Sequence, residues 1–299
     1  MDDQLKPGDH VCLLYDTVDD HLSAVARYAS TGFGSHQRVV YVVADVEATF
    51  DSIAEILCRK GIEVGAALTS GQLKMIPAPE FYLDGGRFDA SAALQAFPRW
   101  IADARDAGFA GLRVATDMGW AQLPLPGVEQ PGVEQLARYE AQVSGVLAGG
   151  YAMGLCCYPD LGDTPRKVGT AHPSTVYGTV YASDLDGGWT PQLRLRITHD
   201  PAQLWVAGEI DLSNRDCLPP VLDRLLRTSD PLEPLRIDLS AVTFADVATT
   251  RLLVRAALAW PRGLMLIGCP EPVAETIRML DDSGGRVDFT DDITDSVVL

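Results

Sequence analysis

The sequence predicts an α/β protein built from two domains, the first an open, mostly parallel sheet covered by helices and the second a smaller α/β unit. Three observations carry this. Short uninterrupted apolar runs, such as 11–15 and 38–44, alternate with longer stretches whose apolar residues recur at helical spacing. Apolar runs of that kind belong to strands buried on both faces. The alternation is broken by a polar, Gly-rich stretch at 183–192, which reads as a linker between domains at 1–182 and 193–299.

Each element follows from its pattern. A strand at 11–15 leads to a helix at 20–31, with Leu22, Val25, Ala26 and Ala29 on one face and Gly32 and Gly34 as its stop. After the strand at 38–44, a helix at 46–60 carries Phe50, Ile53, Ile56 and Leu57 on one face, and Gly61 closes it. Strand 73–77, helix 89–107, strand 112–116, helix 133–149 and strand 153–158 continue the series. Within 121–135 the pentapeptide Pro-Gly-Val-Glu-Gln occurs twice in tandem. Two copies are too few for a repeat architecture, so the segment reads as a surface loop that could close over the ligand end of the sheet. In the second domain, 193–198 and 203–208 alternate as half-buried strands around a turn at Asp200-Pro201. Helix 214–228, strand 235–239, a tight turn, helix 247–259, strand 263–268, helix 271–281 and a short strand near 286–289 follow.

Bulk properties exclude several roles. The 299 residues carry a net charge of −17, with 13 Lys/Arg against 24 Asp/Glu in 1–190 and 11 against 17 in the remainder. Neither part is basic, which argues against direct binding of nucleic acid. No apolar run is long enough to cross a bilayer, and the start lacks a basic segment followed by an apolar one. A cytoplasmic location with reduced thiols is expected, and the six Cys show no C-x-x-C spacing. Asn214, the sole Asn, reads as a compositional bias.

Ligands of open parallel sheets bind beyond the carboxyl ends of the strands. Polar or reactive residues fall there at Tyr15-Asp16-Thr17, at 117–120 and at 158–160. The opening 8–15, Gly-Asp-His-Val-Cys-Leu-Leu-Tyr, resembles the start of the MEDS sensory domain. The resemblance continues through Arg113 to Trp120, Tyr139-Glu140, Cys156-Cys157-Tyr158 and His172-Pro173. It implies a fold derived from RecA-like ATPases and a sensory role. An ATPase of that kind needs Gly-x-x-x-x-Gly-Lys-Ser/Thr after its first strand, where backbone amides wrap the phosphates. Residues 15–21 hold no Gly or Lys but three Asp, so no nucleotide hydrolysis is expected.

His10, Cys12, Tyr15, Asp117, Trp120, Cys156 and Tyr158 are the candidate ligand-binding residues, for a small organic molecule. His10 and Cys12 share one strand face, and with Cys156 they are soft donors. Their convergence is not legible from sequence, so neither a metal nor a cofactor is assigned, and packing of a buried His and buried thiols is the competing reading. His172 reads as a domain cap and Glu140 as a solvated or helix-capping carboxylate.

In the second domain, 206–212, 237–240, 244–246 and 264–268 resemble the STAS domain of anti-sigma factor antagonists. That family often has Asp-Ser-Ser-Gly where this chain has Asp246-Val247-Ala248-Thr249. Ala248 stands at the phosphorylated Ser and cannot take a phosphate. Asp246 is a good N-cap, and Thr249 and Thr250 read as packing or capping the first turn, with a shifted phosphosite as the alternative. The resemblance implies a partner of the kinase-like anti-sigma class or another STAS protein, docked on Asp211, Ser213, Asp246, Ala248 and Thr249. The chain is thus expected to be a regulator and not an enzyme. A residual thiol- or nucleotide-dependent enzyme and a non-catalytic homodimeric scaffold are the alternatives.

Overall fold

The computed structural model describes residues 5–44, 46–122, 127–178, 190–199, 202–281 and 285–291. The first sheet has six strands, all in parallel: β1 (His10–Tyr15), β2 (Arg38–Val43), β3 (Leu73–Pro77), then β6 (Leu112–Asp117), β7 (Ala152–Pro159) and β8 (Ser174–Tyr177). Their order across the sheet is β3-β2-β6-β7-β1-β8. Between them run α1 (Val18–Gly34), α2 (Val46–Arg59), α3 (Val64–Thr69), α4 (Ala78–Tyr82), the small hairpin β4 (Leu83–Asp84) and β5 (Arg87–Phe88), α5 (Ala90–Asp106), α6 (Val133–Leu147) and α7 (Thr164–Gly169). β1, β2, β6 and β7 are buried along essentially their whole length. One sheet face packs Cys12, Leu14, Val40, Val114 and Cys156 against α5 and α6. The other packs Val11, Leu13, Val39, Tyr41 and Cys157 against α1 and α2.

Helix α1 opens where a phosphate-binding loop would stand. Thr17 accepts a hydrogen bond from Asp20 N at 3.1 Å and so caps the first turn. The helix runs through Gly32 to Gly34, past the expected stop, because an interior Gly costs only about 1 kcal/mol where tertiary packing holds the turn. In α2, Ile53 and Leu57 are buried as expected, and the Phe50 side chain lies outside the described residues. The elements α3, α4, β4, β5, α7 and β8 have no counterpart in the sequence reading. All are of two to six residues, too short for periodicity to separate from loop.

The second sheet is β9 (Leu193–His199), β10 (Ala202–Ile210), β11 (Leu235–Ala245), β12 (Leu264–Ile267) and β13 (Val287–Thr290), ordered β13-β12-β11-β10-β9. β9 and β10 are antiparallel and the other pairings parallel. Helices α8 (Leu218–Thr228), α9 (Val247–Ala259) and α10 (Glu271–Leu280) complete it. Two expectations need correction. The tight turn placed after residue 239 does not form: β11 continues to Ala245 beside β10, with two register shifts taken up by an extra residue each time in β11. Gly208 lies within β10 at such an irregularity and not at a strand end. Its φ of +99° and the Gln192 carbonyl 2.1 Å from where a Cβ would stand leave room only for Gly.

Most of the expected linker, 183–189, and the turn at 200–201 lie outside the described residues. The described residues join the two sheets through a polar seam. Arg196 donates to Asp9 Oδ1 at 2.8 Å, both buried, and Ile197 N donates to Ala148 O at 2.7 Å. Gln192 N donates to Ser174 Oγ at 2.8 Å. Asn214, read from sequence as mere composition, is buried in this seam. Its Nδ2 donates to Pro173 O and Glu209 O at 3.3 and 2.9 Å. Among the described residues no helix is long and apolar enough to cross a membrane.

Candidate functional site

The seven candidate ligand residues do not form one pocket. They separate into three environments, because successive strand residues face opposite sides of the sheet.

The first environment gathers His10, Cys12, Cys156 and Tyr158 on the α6 side. β1 and β7 are neighbours, with Cys12 level with Cys156. The residues that organise this environment are Glu140 and His172, to which the sequence reading gave minor roles. Glu140 sits in the middle of α6, wholly buried, within the stripe Leu136, Tyr139, Val143 and Leu147. Tyr158 Oη donates to its Oε1 at 2.6 Å. Its Oε2 lies 3.4 Å from His10 Nε2, 3.4 Å from Cys156 Sγ and 3.5 Å from His172 Nε2. His10 Nε2 is also 3.3 Å from Cys156 Sγ, and the two imidazole centroids are 4.2 Å apart. A carboxylate on an apolar helical stripe is the signal that could have found this centre. A solvated Glu would fall on the opposite face.

Electrostatics in this centre follow from burial. Desolvation and the neighbouring His172 push His10 down to about 4, against the hydrogen bond and charge of Glu140. Burial alone would raise Glu140, but its hydrogen bond to His10, and attraction to His172 whenever that ring carries a second proton, outweigh it and hold the carboxyl well below its usual range. Burial first, then the Glu140 charge, drives the thiols of Cys12 and Cys156 well up. Neither thiol has the electropositive, accessible setting that activates a nucleophile.

The second environment lies on the opposite face, at the carboxyl end of the sheet. Tyr15 stacks on His21 with centroids 4.6 Å apart, and Tyr41 Oη lies 3.3 Å from His21 Nε2. Asp117 Oδ1 accepts from Gly119 N at 2.9 Å, fixing the turn after β6. Burial, then the Asp117 charge, pushes the Tyr15 phenol up.

The third surrounds Trp120. Its ring stacks on Tyr82 at 4.8 Å and meets Phe88 at 5.6 Å, and Tyr139 closes on both Tyr82 and Phe88 edge-on. Trp120 Nε1 is buried and has no hydrogen-bond partner among the described residues. Residues 129 and 130 of the expected surface loop are bonded here. Gln130 Nε2 donates to Trp120 O at 3.2 Å, Glu129 N donates to Gly86 O at 2.8 Å, and Arg87 pairs with Glu129 at 2.7 Å. Pro126, which opens the first copy of the pentapeptide, lies outside the described residues.

On the second domain, Asp246 caps α9 through Thr249 N at 2.7 Å and pairs with Arg215 at 2.5 Å. Its carboxyl lies below the usual range. Burial would raise it, and the Thr249 and Arg215 hydrogen bonds prevail. Thr249 is fully buried, and its hydroxyl donates to Asp246 Oδ1 at 2.8 Å. Thr250 is equally buried and bonds Val247 O at 2.8 Å. Thr249 therefore belongs to the helix's own first turn and leaves the docking surface, and both hydroxyls are closed to a kinase in this conformation. Asp211 and Ser213 form a local turn, with Ser213 Oγ 2.6 Å from Asp211 Oδ1. The sequence reading missed the apolar side chains beside them: Leu212, Phe244 and Val247 are 69%, 50% and 51% exposed. Ala248 lines an adjacent cleft of about 280 Å3 with Arg215, Arg251 and Arg255.

The family model described as MEDS, the methanogen/methylotroph, DcmR sensory domain, matches residues 9–172. The model described as Mlab, STAS domain, matches residues 193–284. No curated protein matches the chain. Among solved structures, a KaiC-like protein from the hyperthermophilic archaeon Pyrococcus horikoshii OT3 is similar at 12% identity and a TM-score of 0.40, over 67% of this chain and 78% of that one. The flagellar accessory protein FlaH from Methanocaldococcus jannaschii is similar at 12% identity and a TM-score of 0.40, over 68% and 78%.

Proposed function

Because this chain belongs to the MEDS family and carries a STAS domain after it, we propose that it is a signalling protein in which ligand capture around Trp120 governs docking on the second domain. The observation that carries the reading is the aromatic enclosure with its buried Trp120 Nε1, which has no hydrogen-bond partner among the described residues. A buried N–H without an acceptor costs about 1–3 kcal/mol. A small organic molecule with an acceptor oxygen or halogen, admitted as the packed rings part, would relieve that cost and stack its carbon skeleton on them. The loop anchored by Gln130 and Glu129 is then the element that admits and seals it.

Helix α6 supports transmission. Tyr139 faces the enclosure, while at Gly145 the helix approaches Pro220 of α8 so closely that a Cβ would lie 3.0 Å from its carbonyl oxygen. The output surface is Leu212, Phe244 and Val247 with the arginine-lined cleft at Ala248, suited to a partner with an apolar contact and acidic rim. A kinase-like regulator or another STAS protein is the class proposed. With Ala248 in place of a phosphoacceptor, control passes from phosphorylation to the first domain. Catalysis forms no part of this reading, and the raised thiols of Cys12 and Cys156 favour that.

Native mass spectrometry of the full chain purified from its host tests both ends. The expected spectrum shows a small-molecule adduct lost in Trp120→Phe and a protein partner lost in Phe244→Asp. A chain that carries neither adduct nor partner would sink the reading.

A further inference from the structure

The buried centre at His10 has more lone pairs than protons to share among them. His172 Nδ1 lies 3.1 Å from Val168 O. A carbonyl can only accept, so Nδ1 carries the proton and Nε2 presents a lone pair. Ser144 Oγ lies 3.3 Å from the carbonyls of Glu140 and Ala171, to which it can only donate, and 2.9 Å from His10 Nδ1. It therefore accepts from His10 Nδ1–H, and His10 Nε2 also presents a lone pair. Both Nε2 atoms face Glu140 Oε2. The thiol of Cys156 supplies a single proton to this set, and Tyr158 is committed to the other carboxylate oxygen. His172 Nε2 is left fully buried with no hydrogen bond among the described residues.

We propose that His10 Nε2, His172 Nε2, Glu140 Oε2 and Cys156 Sγ bind one divalent transition-metal ion of the zinc class. The four donor atoms all lie within 4.8 Å of one another. A tetrahedron with metal–ligand bonds of about 2.0–2.3 Å has edges of about 3.3–3.8 Å. Four of the six edges here are 3.3, 3.4, 3.4 and 3.5 Å. Binding displaces the Cys156 proton to solvent. The carboxylate and the thiolate then neutralise the dication, which removes the cost of an uncompensated buried charge. Each imidazole is already held through its other nitrogen by a hydroxyl or a carbonyl, the outer support that metal-bound His residues require. Two imidazoles, a carboxylate and a thiolate suit zinc over magnesium or calcium. With four protein donors and no exposed position the site is closed, so its role is to tie β1, α6, β7 and the segment before β8 together. The inference stands apart from ligand capture at Trp120, which could fail while this holds.

The competing occupant is a proton on one imidazole, and the experiment separates the two. The untagged full chain is analysed for metal as purified and after addition of Zn2+ or Co2+, followed by X-ray absorption of the loaded protein. The expected result is about one metal per chain, with one sulfur at about 2.3 Å and three nitrogen or oxygen neighbours at about 2.0–2.2 Å. The cobalt form should show a thiolate-to-metal charge-transfer band that Cys156→Ser abolishes and Cys12→Ser retains. A chain that stays metal-free after addition overturns the proposal. So does a metal with no sulfur neighbour, or a band that survives in Cys156→Ser. The absorption measurement needs no variant, so a misfolded Cys156→Ser would not shelter the idea.

Discussion

Two histidine-and-carboxylate groups lie on opposite faces of the first sheet and solve burial in opposite ways. Around His10, the carboxylate of Glu140 is wholly enclosed, and its neighbours are nearly all groups that can hold charge or a proton. Around His21, the carboxylate of Asp117 sits at the strand end and satisfies itself on a backbone amide. His21 is sandwiched by tyrosines and bonded to one of them. The contrast shows that a helix stripe can import a charge into a core when several partners arrive from distant segments. A strand end needs only its own turn. Enclosure makes the first group unforgiving and position makes the second tolerant.

The sharpest way to break this contrast is to delete each carboxylate. Glu140→Ala leaves two imidazoles, a phenol and a thiol facing a void. Breaking a buried charged network of this kind costs about 3–5 kcal/mol. Asp117→Ala removes the bond to Gly119 N in a turn and the interaction with the Tyr15 hydroxyl, and should cost about 1–2 kcal/mol. Chemical denaturation of both variants measures the gap, and equal losses would mean that the enclosure of Glu140 carries no energetic weight.

A smaller effect should appear on acidification. In the metal-free chain His10 is held near 4 when folded, below the ordinary value of 6.5. As pH falls, the unfolded chain takes up this proton first, so stability is full above about 6.5 and is lost towards pH 4. The loss approaches about 3 kcal/mol. Burial lowers His21 too, with Asp117 opposing, so its contribution has the same sign. The melting temperature between pH 7 and 4.5 should flatten more in His10→Gln than in His21→Gln. The reverse order would contradict the assignment of neutral His10 to the enclosed group.

The alternation of apolar runs and helical stripes carried most of the fold, because β1, β2, β6 and β7 are buried on both faces and advertise it. β8 did not show, since its four residues alternate in burial over too short a span. The candidate residues were legible one at a time: His10, Cys12, Cys156 and Tyr158 do meet. Their meeting with Glu140 and His172 was hidden because it depends on strand order, which places β7 beside β1 although 136 residues separate them. Thr249 illustrates the opposite failure. Its position after Asp246 suggested a surface, and only the helix's first turn, closing over the hydroxyl, shows that it faces inward.

The opening Gly8-Asp9-His10 serves both domains at once. His10 points to the enclosed centre, Asp9 grips Arg196 of β9, and at Gly8 a Cβ would stand 2.4 Å from the Arg196 guanidinium. Sensor and output modules are usually imagined as parts that recombination can exchange freely. Here the graft has a matching key. A different second domain joined to this first domain would need a cation at the place of Arg196, or would leave the buried Asp9 carboxylate without the guanidinium that balances its charge. Inheritance of the pair together is therefore the expected mark of this architecture, and a transplanted second domain that lacks the arginine should be repaired by a change at Asp9.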